Sequence, residues 1–196
     1  MLHDVLSRLR TASQVYLRPL LGFVLLLWGI ELIDLVLLGR LDFLGIFPRN
    51  LQGLRGVLFA PLLHGGFGHL VANTGPLLAL GLLTLLGGWE IFLRVTASAW
   101  LIGGLGTWLL GGAGTVHIGS SILIFGYLGY LLAAAYYQRS PQTLLVALLV
   151  GLVYGSMLFG LLPGQTGVSW QGHAAGFLGG VLAARGGIEK QEASSK

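Results

Sequence analysis

A hydroxyl, an imidazole that can take its proton and a set of hydrogen-bond donors are the least that attack on a carbonyl requires. This chain supplies all three inside stretches that are otherwise apolar. His64, His69 and Asn73 fall in one such stretch, Gly119, Ser120 and Ser121 open another, and His173 sits near the start of a third. Serine is a weak nucleophile until a base removes its proton, and histidine is the side chain whose ordinary pKa suits that exchange near neutral pH. Ser121 with His173 therefore reads as a candidate nucleophile and base. His69 and Asn73, four residues apart, project from one helix face, so both can donate to a single point. With backbone amides at a helix N-terminus beside Ser121, they are the natural donors to a developing oxyanion.

These residues must be delivered by apolar helices. Of the 196 residues 55% are hydrophobic and 9% charged, and the mean hydropathy is +0.83. Soluble domains carry roughly a quarter charged residues. A membrane span takes about 20 apolar residues, so one domain of about six spans nearly exhausts the chain. Hydropathy predicts spans over 20–38, 60–86, 91–110, 118–137, 143–162 and 168–184. The expected organisation is an N-terminal cytoplasmic or interfacial segment over 1–18, a membrane domain over 19–186 and a polar tail over 187–196. Glycine, 33 residues of it, suits helices that approach closely in a bilayer. The stripe His173, Gly176, Gly180 would let the last span press on the fourth, along the face carrying Ser121, Phe125 and Gly129.

Arg8, Arg10, Arg18, Arg94, Arg139, Arg185, Lys190 and Lys196 fall on one side of this arrangement, and Arg40, Arg49 and Arg55 on the other. The positive-inside bias then puts both termini in the cytoplasm. Spans two, four and six all begin at the outer face, which brings the polar residues to one layer. With a rise of about 1.5 Å per residue, His69, about nine residues into its span, and His173, about five into its own, lie on the order of 10 Å below the outer surface.

The formal charge of +4 is spread between spans and does not form a nucleic-acid surface. No cysteine is present, which excludes disulfides and cysteine catalysis. The first 16 residues lack the apolar core of a signal peptide and read as a short interfacial helix. The connection over 39–59 is neither a clean span nor a flexible linker, and is expected to be partly embedded, with Arg55 as an anchor. Glu31 and Asp34 are expected to pair with loop arginines or to reach the outer interface. Trp28, Trp89, Trp100, Trp108 and Trp170 read as interface or packing aromatics.

Three motifs resemble the rhomboid intramembrane serine proteases, over about 53–187: HGGFGHLVAN (64–73), HIGSSILIFGYLGY (117–130) and GHAAGFLGG (172–180). Their order and spacing are similar to the family's second, fourth and last spans. The resemblance implies an all-α, polytopic membrane protein with a rhomboid-like bundle of six transmembrane helices. It implies that Ser121 is the nucleophile and His173 its base and later acid, with no acidic third member, no cofactor and no metal. His69 and Asn73 would assist the oxyanion, Phe125 would stack on His173, and Gly119 would give the sharp approach to Ser121. Counting from Phe125 and Gly126 favours Ser121 as the nucleophile, with Ser120 read as a loop residue. The family usually has glycine where this chain has Ile122, and often alanine where it has Ser120. The partners implied are transmembrane protein substrates and the lipid bilayer, with no nucleic acid. Substrates would be cut near their outer end, after local unwinding, in a cavity covered by the loop PGQTGVSWQ (163–171). The compact core suggests a bacterial plasma membrane.

Two other functions fit parts of the pattern. A catalytically inactive relative would bind membrane-protein clients without cutting them. A metal enzyme would use His64, His69 and His173 as ligands, but the chain has no H-E-x-x-H signature and no carboxylate in that layer. His64 and His117 otherwise read as packing residues, His64 bracing the outer loop.

Overall fold

Six long helices account for most of the chain in the computed structural model, which describes residues 17–194, with side chains through Gly187. They are α1 (Arg18–Val36), α2 (Phe67–Leu85), α3 (Trp89–Leu110), α4 (Ser121–Gln138), α5 (Pro141–Tyr154) and α6 (Trp170–Ser194). Helix α5 continues as a 3-10 helix over Gly155–Leu161. The expected interfacial helix within the first 16 residues lies outside the described residues. By length and composition α1, α2, α3, α4 and the run Pro141–Leu161 can each cross a membrane.

The helix starts follow local rules. Proline occupies the first turn of α1 and α5, where its missing N–H costs nothing. Ser140 caps α5 by accepting from Thr143 N–H. The second span begins seven residues later than hydropathy placed it, at Phe67 and not Ala60. Pro61 sits in a short 3-10 turn (Ala60–Leu62), and Gly66 enters α2 at φ 103°. Hydropathy carries on through this stretch, but Leu63 is extended and Gly66 has a positive φ, so no single α-helix runs through it.

Helix α4 is the axis of the bundle. Most of its residues are buried, from Ile122 to Ala135, whereas in α5 only Val150 is. Glycines bring α6 hard against α4: a Cβ on Gly176 or Gly180 would strike the carbonyls of Ile122 and Gly126. The expected stripe is thus the line of closest approach. Dispersion between closely packed backbones replaces the hydrophobic drive that lipid removes. Large apolar side chains on α1 and α5, such as Leu25, Val36 and Leu152, face outward, as a lipid-facing surface requires.

The connection between α1 and α2 is folded, built from 3-10 turns at Arg40–Leu44 and Leu51–Arg55 and a helical turn at Gly56–Phe59. Trp100 and Trp108 of α3 donate their indole N–H groups to Val57 O and Asn50 O. Arg49 donates to Leu109 O and Gly111 O. Arg55 braces the segment from within, donating to Phe43 O and lying 4.6 Å from the Phe43 ring centre. Glu31 and Asp34 are buried, and among the described residues their partners are not arginines. Asp34 accepts from Leu41 N–H at 2.7 Å, and Glu31 lies near the backbone of Gly66. Backbone amides at a bend and at a helix start offer shorter reach than a flexible guanidinium.

Candidate active site

Helices α2, α4 and α6 all start at the same end of the bundle, and each carries a polar residue in its first turn: His69, Ser121 and His173. Because α2 starts at Phe67, His69 is its third residue and not a mid-depth one. The three groups meet because their helices begin together. Helix N-termini carry partial positive charge and free N–H groups, so this end of the bundle favours an anion.

Ser121 Oγ lies 2.9 Å from His173 Nε2, and His173 Nδ1 lies 3.0 Å from the carbonyl of Gly160. A carbonyl only accepts, so Nδ1 carries the ring proton and Nε2 is left to accept from the Ser121 hydroxyl. The Phe125 ring stacks on the imidazole with centres 4.1 Å apart and planes at 12°. Sequence reasoning missed Gly160. A carbonyl contributed by a glycine from another helix leaves no mark in a motif.

His69 and Asn73 line the same cavity as Ser121 and His173. Gly65 N–H donates to His69 Nδ1 at 3.4 Å, which places the His69 proton on Nε2. Asn73 Nδ2 donates one hydrogen to His69 O at 3.1 Å, leaving the other available. Gly119, at φ 123°, passes so close to the His69 ring that a Cβ there would lie 2.8 Å from Cε1. Only glycine takes that conformation freely. At the start of α4 the N–H groups of Ser121 and Ile122 lack a helical acceptor, whereas Leu123 and Ile124 both reach Ser120 O.

The cavity has a volume of about 690 Å³ and is open. Ala72 and Pro76 of α2, Ile124 of α4 and Met157 beyond α5 form its apolar walls, and Gly167, Val168 and Ser169 of the expected covering loop contribute to its rim. No acidic residue lines it. No group of three or more histidine, cysteine or acidic residues suited to a metal occurs among the described residues.

The two packing histidines have specific partners. His64 Nε2 lies 3.1 Å from Ser120 Oγ, both residues being buried, so Ser120 is more than a loop residue and His64 braces the approach to α4. Burial, and then the neighbouring His69, push the His64 imidazole down to about 4. His117 bonds Ser169 and Thr115.

The profile of the Rhomboid domain matches residues 52–190. The chain belongs to the rhomboid family. It is 50% identical over 173 residues to an uncharacterized protein of Mycobacterium tuberculosis, covering 84% of this chain and 72% of that one. It is 44% identical to an uncharacterized protein of Mycobacterium leprae, covering 84% of this chain and 68% of that one. A Bacillus subtilis protein named as a candidate rhomboid protease is 30% identical over 138 residues, covering 67% of this chain and 66% of that one. The rhomboid domain with its apolar helices makes this an integral, multi-pass membrane protein.

At its departure from the family pattern, this rhomboid turns the Ile122 side chain away from the cavity. It is buried between α3 and α6, against Gly103 and Gly172. Small residues on the facing helices absorb its bulk.

Proposed function

We propose that this rhomboid is a serine endopeptidase that cleaves transmembrane segments of membrane-protein substrates, with Ser121 as nucleophile and His173 as base. One observation carries the reading: the Ser121 hydroxyl is held on Nε2 of an imidazole whose Nδ1 proton is anchored on Gly160 O, at the wall of an open cavity.

In the acylation step Ser121 Oγ bonds to the substrate carbonyl carbon while its proton passes to His173 Nε2. The imidazolium is stabilised by the Gly160 carbonyl and the stacked Phe125 face, in place of a carboxylate. The oxyanion takes hydrogen bonds from His69 Nε2–H, the free Asn73 amide hydrogen and the Ser121 N–H, each such donor being worth about 3 kcal/mol in related sites. His173 then gives its proton to the leaving amine, and water repeats the sequence on the acyl-enzyme. No metal or cofactor has a part.

A helical substrate hides its carbonyls in internal hydrogen bonds, so the segment must unwind to enter, and substrates with small or helix-breaking residues at the cleavage point are favoured. The distribution of arginine and lysine supports both termini in the cytoplasm. The end at which α2, α4 and α6 start is then outermost, and cutting takes place near the outer face of a bacterial plasma membrane.

The test is a fluorophosphonate probe on the detergent-purified protein, with cleavage of a single-span substrate measured in parallel. Wild type should label and cleave; Ser121→Ala and His173→Ala should do neither. Labelling that survives in Ser121→Ala removes the assigned nucleophile. Cleavage unchanged in both variants removes the protease reading and leaves a client-binding rhomboid.

A further inference from the structure

Four residues before Ser121 stands His117, and four residues before His173 stands Ser169. The two Ser–His pairs therefore repeat each other with the residue types exchanged, each joining partners 52 residues apart. His117 Nδ1 lies 2.6 Å from Ser169 Oγ, and Nε2 lies 2.7 Å from Thr115 Oγ1. Thr115 gives its own proton to Gly112 O at 2.7 Å, so Nε2–H is the donor in its bond with His117. Nδ1 is then the acceptor for the Ser169 hydroxyl. Burial lowers the His117 pKa, which keeps this neutral pattern in place near pH 7.

What Ser169 holds is the start of α6. Its carbonyl accepts from His173 N–H at 3.0 Å, the hydrogen bond that fixes the turn from which the catalytic imidazole projects. On its other side, His117 exchanges both backbone hydrogen bonds with Ile46, at 2.9 and 3.0 Å. One residue thus ties three segments: its backbone holds the connection between α1 and α2, and its ring joins the approach to the nucleophile to the root of the helix carrying the base. With both nitrogens engaged by protein hydroxyls, His117 does not itself transfer the substrate's proton.

We propose that His117 is a positioning residue of the proteolytic site, its Nδ1 bond to Ser169 holding the first turn of α6 so that the His173 imidazole stays in register with Ser121. The proposal deepens the protease reading and rests on it for its kinetic consequence. Its structural consequence, a looser start to α6, does not depend on proteolysis.

The experiment uses the full chain in detergent, with hydrogen–deuterium exchange over residues 173–176 and steady-state cleavage of a single-span substrate. Asparagine at 117 ends where Nδ1 stands and can still bond Ser169, whereas glutamine reaches toward Nε2 and cannot. Ser169→Ala removes the same bond from the other side and leaves the carbonyl in place. In Ser169→Ala and His117→Gln, exchange over 173–176 should speed about fivefold or more and kcat should fall about tenfold, with KM within about twofold. His117→Asn should stay close to wild type, and combining His117→Gln with Ser169→Ala should add no further loss. Unchanged exchange in Ser169→Ala overturns the proposal, as do equal losses in His117→Asn and His117→Gln. If Ser121→Ala proves to cleave normally, the protease reading fails, yet faster exchange in Ser169→Ala would still confirm the clamp on α6.

Discussion

Two adjacent serines in this molecule each meet a histidine through Nε2, and of these two pairs one borders the cavity. Ser121 and His173 are 2.9 Å apart and border the cavity. Ser120 and His64 are 3.1 Å apart and shut away, at 0% and 2% exposure. In both, Nε2 is the acceptor: Ser120 gives its own N–H to His64 Nε2 as well, at 3.4 Å. The pairs differ at the far nitrogen. His173 Nδ1 has the Gly160 carbonyl, whereas His64 Nδ1 has no hydrogen-bond partner among the described residues. A proton taken by His64 would create a buried cation with nothing to receive its second N–H, a costly state. A short serine to histidine distance therefore does not mark a nucleophile. In the proposed mechanism, access for the substrate and support for the imidazolium are what single out Ser121.

The largest effect that tests this contrast is catalytic. Ser121→Ala should lower cleavage by a factor on the order of 10⁴, whereas Ser120→Ala should retain most activity and probe labelling, as read in a gel assay of both variants. The reverse ranking would exchange the roles of the two pairs.

Next in size is an acid response belonging to the buried pair. His64 has a pKa of about 4 in the folded chain and about 6.5 when unfolded. Between those values the unfolded chain binds the extra proton, so stability is full above about pH 6.5 and declines as pH falls through about 4. The loss is at most about 3 kcal/mol. Thermal melts in detergent at pH 7 and 4.5 should show a smaller drop for His64→Asn than for wild type; equal drops would mean that His64 is not the group responsible.

Gly160→Ala tests the support of the proposed base, His173. The added Cβ would lie 2.9 Å from Phe125 Cζ and 3.3 Å from His173 Nδ1, pushing the ring or its carbonyl acceptor away. A fall in kcat of about tenfold to a hundredfold is expected, with the melting temperature within a few degrees of wild type. A normal kcat would show that the carbonyl does not matter to the base.

The smallest effect is the stability cost of Ser120→Ala. His64 Nε2 keeps the Ser120 N–H, so the loss should be near about 1 kcal/mol, measurable as a modest shift in the same melts. A loss several times larger would show that the buried pair organises more of the start of α4 than its two hydrogen bonds.

Much of this was legible in the residues. The apolar runs predicted six helical segments, and α1, α3 and α4 begin and end within a few residues of expectation, as does α5 once its 3-10 continuation to Leu161 is included. The run from Ala60 misled because hydropathy measures partition into lipid and is blind to the backbone at Leu63 and Gly66, which is extended and left-handed and separates the turn at Ala60 from the helix that starts at Phe67. For Glu31 and Asp34 the arginine branch of the expectation misled for a related reason. Opposite charge suggested arginine, but Asp34 takes the nearer Leu41 amide.

The sequence by itself determined the class of protein, the stripe on α6 and the residue types that meet at one end of the bundle. Each depends on composition or on periodicity along a single helix, and both are local properties. Only the tertiary structure decided which serine faces the cavity, that the Gly160 carbonyl holds the far side of His173, and that His117 reaches Ser169. Those relations join segments distant along the chain, and they exist only once backbones pack closely enough for hydrogen bonds of about 3 Å to form between them.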